Sequence, residues 1–382
     1  DAGIAAALPV NGLDLPSAPT PSRAERWSIT GNQAAALGAL RAGVRFAAGY
    51  PITPATEVLE WLALALPKLG GEFVQAEDEL AAVNQIIGAS FGGVPAITAT
   101  SGPGLALMME SIGLAVAAEV PIVVIDVMRG GPATGIPTKS EQSDLNIAIH
   151  GLPGDAPHLV MAPTSVNDCL DTTHWAVKLS EWLQVPAIVL SNQAMGQTRM
   201  IDNKPAPREW ATERKVPDQV DGAYQRYQLT PDSVSPMTLP GMPGGQYTAE
   251  GLEHDESGIP SVRARDHLHQ LDKRRNKLAE FDYGDYWADV EGAGSTAIIT
   301  WGATVGAARE LLARSPEFDG GLRLIALRLL APEQPGPMAK MLRGVKRILV
   351  VEQSHGAQFY RYLKSGYDLS VRMRSFCRPG PV

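Results

Sequence analysis

The stretch Val74–Glu110, VQAEDELAAVNQIIGASFGGVPAITATSGPGLALMME, decides the fold. Its pattern predicts a short strand, a helix to Ser90, a second strand over Ala96–Thr100 and a second helix. The helices follow an acidic triplet, Glu77-Asp78-Glu79, and a glycine-rich elbow, Ser101-Gly102-Pro103-Gly104. Two strand-to-helix junctions in one βαβ unit indicate an open parallel sheet. Ligands bind at the carboxyl ends of such strands, so we expect the triplet and the elbow to face one crevice.

Glu79 is the central residue of this interpretation. Acidic residues at a helix start can be explained by capping and the helix dipole alone, and that explanation stays open for Glu77 and Asp78. Glu79, however, begins a helix that is apolar on most sides and is therefore expected to be buried. A buried carboxylate needs a partner or a shifted pKa. A cofactor nitrogen that must be protonated would be such a partner.

Two further segments are expected at the same sheet edge. The loop Tyr50-Pro51-Ile52-Thr53-Pro54 follows a short strand, and its prolines stiffen the approach to the next helix. An ordinary capped helix start is the alternative. Arg129 follows the β-branched run Pro121–Met128, and a guanidinium beside small residues suits carboxylate recognition. A surface ion pair is the alternative for Arg129.

Composition bounds the class of protein. The 382 residues are 45% hydrophobic, enough for the cores of two or three domains. With 33 basic and 41 acidic residues the net charge is −8, which argues against a nucleic-acid partner. The only cysteines, Cys169 and Cys377, are too few for a zinc site or an iron–sulfur cluster, so any cluster must belong to a partner and no metal site is expected. No apolar run reaches membrane-spanning length and no signal pattern is seen, so we expect a cytoplasmic protein.

Four segments are expected along the chain. Residues 1–26 have the composition of a linker from a missing upstream domain. Residues 27–204 form a first doubly wound α/β domain, and 205–292 form an irregular connection with one helix. From 293 to 382 the βαβ pattern resumes as a second, smaller α/β domain, in which Leu322–Leu329 is expected to be one strand.

Four ordered motifs resemble a known family. YPITPATE, QAEDE with the following GAS, TATSGPG and RGGPATGIPTKSEQSDL are similar in order and spacing to the alpha subunit of 2-oxoglutarate:ferredoxin oxidoreductases. ITWG and VVEQSHGAQ are similar to the C-terminal domain of that family. The resemblance covers about residues 27 to 375. It implies a thiamine diphosphate-binding, pyrimidine-type domain followed by a transketolase C-terminal-like domain.

The resemblance also implies a cofactor and partners. Thiamine diphosphate would be shared with a beta subunit, which would hold its diphosphate with Mg²⁺ and carry a [4Fe-4S] cluster. The implied reaction is the coenzyme A-dependent oxidative decarboxylation of 2-oxoglutarate to succinyl-CoA and CO₂ with electrons passed to ferredoxin. Run in reverse, as in a reductive TCA cycle, it would fix CO₂. The implied assembly is (αβ)2.

Site residues follow from the same resemblance. Glu79 would contact the pyrimidine ring nitrogen, and Arg129 and Thr53 would complete the catalytic set. Substrate contacts would come from Arg129, Thr53, Thr138 and Lys139. The remaining cofactor contacts are expected from two groups of residues: Tyr50, Pro51 and Ile52, and Ser101, Gly102 and Pro103.

Three alternatives stay open. The chain could serve pyruvate or another 2-oxoacid in the same kind of ferredoxin-linked enzyme. It could belong to a lipoate-linked dehydrogenase or a transketolase-like enzyme that uses no cluster. It could also be a regulatory or scaffolding subunit that keeps the fold without turnover.

Overall fold

Two mainly parallel sheets and a small antiparallel ribbon form the framework of the chain. The computed structural model describes residues 25–206, 208, 210, 213–315, 318 and 320–380. The linker expected over residues 1–26 therefore lies almost wholly outside the described residues. The described part begins with β1 (Arg26–Thr30), which pairs antiparallel with β8 (Arg199–Asn203).

The first sheet has seven strands in the order β12-β6-β7-β5-β4-β2-β3, parallel except for β12. Its strands are β2 (Phe46–Gly49), β3 (Glu72–Gln75), β4 (Ala96–Thr100), β5 (Val123–Met128), β6 (Leu159–Met161), β7 (Ala187–Asn192) and β12 (Leu329–Ala331). The helices of this part are α1 (Gly31–Arg41), α2 (Thr56–Ala65), α3 (Glu79–Phe91), α4 (Gly102–Ala117), α5 (Leu145–His150), α6 (Asp168–Leu183) and α7 (Gln193–Gln197).

The quoted stretch folds as its pattern predicts. β4 and β5 are buried along their whole length, as expected for central strands covered by helices on both faces. α3 begins at Glu79 because Asp78 caps it: the Asp78 side chain accepts a hydrogen bond of 2.7 Å from the Ala81 amide. The capping explanation left open for Asp78 is thus confirmed.

The strand order creates a crevice beside β2. The chain steps from β2 to β3 on one side and then crosses back to β4 on the other. At such a switch point the connections leave in opposite directions and open a space at the carboxyl ends of the strands. The loop after β2 and the elbow after β4 (Ser101–Gly104) border this space. The fold therefore brings the expected segments to one edge.

The second sheet has the order β14-β13-β10-β11-β9 and is parallel except for β9. Its strands are β9 (Ala288–Gly292), β10 (Thr296–Trp301), β11 (Leu322–Leu327), β13 (Arg347–Glu352) and β14 (Arg372–Cys377). Its helices are α9 (Thr304–Arg314), α10 (Pro335–Met341) and α11 (Gln358–Gly366), and α8 (Ala264–Ala279) lies in the preceding connection. The doubly wound class with a second α/β domain is confirmed, although β9 adds residues 288–292 to the second sheet.

The strand expected over Leu322–Leu329 is divided between the two sheets. β11 ends at Leu327, and β12 then pairs with β6 at the edge of the first sheet. Arg328 lies at the division and is 3% exposed; its Nε donates to Asp168 Oδ2 at 2.9 Å and its Nη2 to Asp289 Oδ2 at 3.0 Å. Burial alone would raise the pKa of Asp168, but the Arg328 guanidinium outweighs it and lowers that pKa. A tertiary ion pair therefore sets the division.

The irregular connection is held to the first domain by a buried ionic cluster. Glu119, just past α4, is fully buried and contacts Lys273 and Lys277 of α8; Lys277 Nζ lies 2.9 Å from Glu119 Oε2. Arg226 Nη2 donates to the Glu119 backbone carbonyl at 2.8 Å. A run of charges on a helix is ordinarily a solvated face, but α8 places Lys273 and Lys277 in the interior. None of the helices formed by the described residues is both long and apolar enough to cross a membrane.

Candidate active site

Glu79 lies in the crevice with its side chain buried. It is 6% exposed at the first turn of α3. Its Oε1 lies 2.7 Å from the position that a Cβ on Gly104 would occupy, so the acid packs directly against the elbow. Within residues 25–380, as far as they are described, no side chain or amide donates a hydrogen bond to this carboxylate. A buried acid without a donor is poised to receive one from a ligand.

The elbow contributes a second unsatisfied polar group. Ser101 is fully buried, and its hydroxyl has no hydrogen-bond partner among the described residues. Gly102 begins α4, and a Cβ there would lie 2.7 Å from Asp144 Oδ2. Pro103 lies in the first turn of α4, where a proline is tolerated because the amide it lacks would have no helical partner. The elbow thus presents a close-packed backbone beside two carboxylates.

Arg129 and Thr53 are in direct contact. Arg129 Nη1 donates a hydrogen bond of 2.6 Å to the Thr53 backbone carbonyl. Arg129 is only 6% exposed, and its Nε has no partner among the described residues. It lines a cavity of about 570 Å³ that also touches Gly102 and Pro103. Arg129 is buried, so the structure does not show the surface ion pair that was the alternative for this residue.

The loop before Thr53 lies at the open side of the crevice. Tyr50 is 40% exposed, Pro51 is exposed and Ile52 is half-buried. The helix after the loop begins at Thr56, so Pro54 lies before its first turn. An exposed aromatic ring at this edge leaves surface for a cofactor or for another chain.

Thr138 and Lys139 are not brought into the Arg129 cavity. Both residues are exposed and line a separate cavity of about 600 Å³ with Thr304, Gln353 and Arg378 of the second domain. The reason is a turn: Gly130 and Ile136 form an antiparallel bridge, and the Gly130 amide donates to Lys139 O at 3.1 Å. The chain therefore turns back on itself after Arg129. Thr138 and Lys139 line one cavity, and Arg129 lines the other.

A carboxyl pair near Arg129 was missed by the sequence interpretation. Asp126 is fully buried in β5, and Asp144 precedes α5 and lines the Arg129 cavity. Both oxygens of Asp126 and Oδ2 of Asp144 have no hydrogen-bond partner among the described residues. Burial raises the pKa of Asp144 to about 6, and burial together with Asp144 raises the pKa of Asp126 well above its usual value. A charged residue inside the apolar strand VVIDVM was the available signal.

The second domain closes one side of the cavity. Gln358 Nε2 donates to Ser143 O at 2.9 Å, and the Asn146 amide donates to Gln358 Oε1 at 2.9 Å. Gln142 bridges in the same way, donating to Trp301 O at 2.8 Å and accepting from the Gln353 amide at 2.7 Å. The segment VVEQSHGAQ therefore supports the loop that carries the site.

Comparison with known proteins connects this geometry to a family. Residues 37–273 match the family described as "Pyruvate flavodoxin/ferredoxin oxidoreductase, thiamine diP-bdg". The chain is 38% identical over 347 residues to the 2-oxoglutarate synthase subunit KorA of Methanothermobacter marburgensis, covering 88% of this chain and 90% of that protein. It is 34% identical to the 2-oxoacid:ferredoxin oxidoreductase 1 subunit alpha of Sulfurisphaera tokodaii, covering 89% of this chain and 57% of that one.

A solved structure shows the same fold. The 2-oxoglutarate:ferredoxin oxidoreductase from Magnetococcus marinus, with 2-oxoglutarate, coenzyme A and succinyl-CoA bound, superposes with a TM-score of 0.87 at 39% identity. The match covers 93% of this chain and 63% of that chain. This chain thus spans under two thirds of that chain but nearly the full length of the methanogen subunit.

Proposed function

Because this chain belongs to the pyruvate flavodoxin/ferredoxin oxidoreductase family of thiamine diphosphate-binding oxidoreductases, we propose that it is the alpha subunit of a 2-oxoglutarate:ferredoxin oxidoreductase. The family resemblance and the fold class drawn from the four motifs are confirmed. The observation that carries the proposal is the junction of Arg129 with Thr53 beside the buried Glu79 and the elbow. It combines an anion-binding group with a buried acid at one crevice.

The substrate proposal rests on the relatives and on charge. Methanothermobacter KorA is named for 2-oxoglutarate synthase, and the Magnetococcus enzyme was solved with 2-oxoglutarate bound. Arg129 supplies a guanidinium that is already held in place by Thr53 O and keeps an unpaired Nε. Such a preorganised guanidinium binds a carboxylate with little loss of side-chain entropy. Thr138 and Lys139, across the turn, are proposed as more distant substrate contacts.

The crevice suits the pyrimidine part of thiamine diphosphate. The orphaned Ser101 hydroxyl and the donor-free Glu79 carboxylate lie at the same junction, where an aminopyrimidine could satisfy both. When bound, thiamine diphosphate supplies the carbon nucleophile for the 2-oxo group and an electron sink for decarboxylation. Glu79 accepts a hydrogen bond from a ring nitrogen and holds a proton there. The loop Tyr50–Thr53 and the elbow position the ring, and Arg129 orients the substrate carboxylate.

The other components are assigned to a partner subunit. The chain has two cysteines, so a four-cysteine cluster has to come from elsewhere. Over the described ranges, no group of three or more metal-ligating side chains is found. We therefore assign the diphosphate site with Mg²⁺ and the [4Fe-4S] cluster to a beta subunit in an (αβ)2 assembly. Coenzyme A is proposed as the acyl acceptor and ferredoxin as the electron acceptor, and the reverse reaction would fix CO₂.

The test is an assay of the co-expressed chain and its partner subunit. We expect reduction of ferredoxin or a viologen dye that requires both 2-oxoglutarate and coenzyme A. The Sulfurisphaera relative is named only for 2-oxoacids, so pyruvate and 2-oxobutyrate are compared in the same assay. Preference for pyruvate would reassign the substrate, and acyl transfer without dye reduction would contradict the ferredoxin-linked class.

A further inference from the structure

Arg226 is a fully buried cation with two unused donor nitrogens. It lies in the irregular connection, and its side chain has no exposed surface. Its Nη2 donates to the Glu119 backbone carbonyl at 2.8 Å, but Nε and Nη1 have no hydrogen-bond partner among the described residues. Buried donors of a native fold are almost always satisfied, because a donor that leaves water without a new partner loses a hydrogen bond. Arg226 therefore needs an acceptor from outside this part of the chain.

Two tyrosine hydroxyls next to this guanidinium are also without partners among the described residues. Arg226 Cζ is 5.0 Å from the ring centroid of Tyr227 and 5.9 Å from that of Tyr247. Burial raises the pKa of both phenols, although the charge of Arg226 opposes that rise, so both keep their protons and remain donors. Gln270 Oε1, an unpaired acceptor on α8, bonds to neither the hydroxyls nor the guanidinium. Several donors thus share one buried place.

The charges around Arg226 do not balance. Glu119 is the carboxylate of the buried ionic cluster, and both α8 lysines of the cluster bind it. The neighbouring Arg274 has a counter-ion of its own, because its Nη2 lies 2.7 Å from Glu253 Oε2. Arg226 is therefore the third cation around one carboxylate, and its recorded hydrogen bond reaches only the backbone of that residue.

Loss of protons cannot remove the whole excess of positive charge. Burial lowers the pKa of Lys273 to about 7, although the contact with Glu119 opposes that effect. Lys273 can therefore give up its charge near neutral pH. Arg226 cannot, since a guanidinium stays charged in proteins. An unpaired ion in the interior is strongly unfavourable, so one positive charge still needs a counter-ion.

We propose that the buried ionic cluster holds one small monovalent anion of the chloride type, bound by Arg226 Nε and Nη1 and by the hydroxyls of Tyr227 and Tyr247. A water molecule could accept these hydrogen bonds, but it would leave the charge of Arg226 unmatched. Complete burial of Arg226 and Tyr227 favours an ion without bulky groups.

The anion is a structural ligand, separate from the candidate active site. Glu119 follows the last turn of α4, whereas the elbow begins that helix, and 16 helical residues span about 24 Å. The ion would lie where the irregular connection and α8 join the first domain. Its expected effect is therefore to hold the connection in place, and it takes no part in the chemistry of the substrate.

The direct test is diffraction from crystals of the complete complex grown with bromide in place of chloride. We expect an anomalous-scattering peak in contact with Arg226 Nε and Nη1. Density at that place without an anomalous signal would identify a water molecule and overturn the inference. Peaks confined to exposed lysines and arginines would also overturn it, because they would show adventitious ions only.

Hydrogen exchange of the complete complex measures what the ion does to the fold. Chloride is varied against gluconate at constant ionic strength, because gluconate is too bulky for a buried site. Amides of residues 224–228 and 270–277 exchange when the cluster opens and releases the ion. A tenfold rise in chloride above its Kd should therefore slow their exchange about tenfold. Equal exchange rates in the two salts would contradict the proposal.

Substitutions locate the ion. Arg226→Met removes the charge and both donors, so exchange should no longer depend on chloride. Arg275→Met changes an exposed arginine of α8 and, as the matched control, should keep the full dependence. Tyr227→Phe removes a single hydroxyl and serves as the test if Arg226→Met does not fold; it should raise the chloride concentration required by about tenfold or more. Full chloride dependence in Arg226→Met, or an unchanged requirement in Tyr227→Phe, would overturn the inference.

Discussion

Glu79 occupies the space that a side chain on Gly104 would need. A Cβ at position 104 would lie 2.7 Å from Glu79 Oε1 and 2.1 Å from Thr100 Oγ1. The elbow therefore excludes every residue larger than glycine as long as the acid keeps its place. The geometry of this junction therefore depends on glycine at position 104 as well as on Glu79.

Gly104→Ala should lower turnover by displacing the side chains of Thr100 and Glu79, which both lie where the new Cβ would be. We expect a loss of at least about 100-fold, because a misplacement of about 1 Å at a reacting group has that effect. The control is Gly306→Ala on α9, where a Cβ meets nothing within 4 Å. That change should keep activity and stabilise the fold by up to about 1 kcal/mol. Equal kcat values for Gly104→Ala and wild type would show that the contact has no role in catalysis.

Glu79→Gln should reduce kcat by about 10²- to 10⁴-fold with the fold intact. The amide is nearly the same size but cannot hold a proton at a ligand nitrogen. Asp78→Asn is the matched control: it makes the same chemical change one residue earlier, where asparagine caps α3 as well as aspartate does. Steady-state kinetics and thermal melts of both variants separate the roles, and a fully active Glu79→Gln enzyme would remove Glu79 from the mechanism.

Arg129→Met should raise the KM for the 2-oxoacid by about 10- to 100-fold, since a hydrogen bond to a charged group contributes about 1.5–3 kcal/mol. The KM for coenzyme A should stay unchanged. Arg129→Lys should recover only part of the loss, because an ammonium lacks the planar fork that binds Thr53 O and a carboxylate together. As a control, Arg314→Lys alters an exposed side chain of α9 and should change neither constant.

Glu119→Gln should destabilise the fold by about 3–5 kcal/mol, because it leaves Lys273 and Lys277 buried without a counter-ion. Glu110→Gln makes the same change on an exposed position of α4 and should cost little. Equilibrium unfolding in urea measures both. If Glu119→Gln unfolds at the wild-type midpoint, the cluster does not hold the connection to the first domain.

The same cluster should make stability depend on pH in the acid range. Burial would raise the pKa of Glu119, but Lys273, Lys277 and Arg226 outweigh it and hold that pKa far below the ordinary value of 4.5. The unfolded chain therefore binds a proton as pH falls below about 4.5 while the folded protein does not, so stability is lost in that range. Glu119→Gln should show a smaller slope of unfolding free energy against pH below 4.5.

The sequence was sufficient for the parts of the site that lie within one strand-to-helix unit. Glu79 follows the short edge strand β3 and Ser101 follows the buried strand β4, and the strand and capping patterns are local properties, so their edge of the sheet could be predicted. Arg129 and Thr53 are 76 residues apart, and only their common position at strand ends indicated that they would meet. The rule that the carboxyl ends of parallel strands meet at one edge of the sheet was enough to predict that they lie close together.

The placement of the other residues depends on contacts that local patterns do not contain. Thr138 and Lys139 follow Arg129 closely in sequence, and a turn at Gly135 returns the Lys139 carbonyl to the Gly130 amide, yet both residues line a different cavity from Arg129. The φ of Gly135 is +49°, and a Cβ there would lie 1.6 Å from Gly130 O. Asp126 and Asp144 meet only after the chain has completed this excursion. Arg328 divides an apolar run that reads as one strand, because its ion pairs lie in both domains.

The small strand Leu329–Ala331 has a consequence for how the protein could be dissected or recombined. It leaves the second domain to become an edge of the first sheet, and Arg328 anchors the passage at Asp168. A protease that cuts the irregular connection would therefore leave two pieces still bound to each other. Exchanging the second domain with that of a relative would also replace β12, an edge strand of the first sheet. The two domains are therefore expected to change together in evolution.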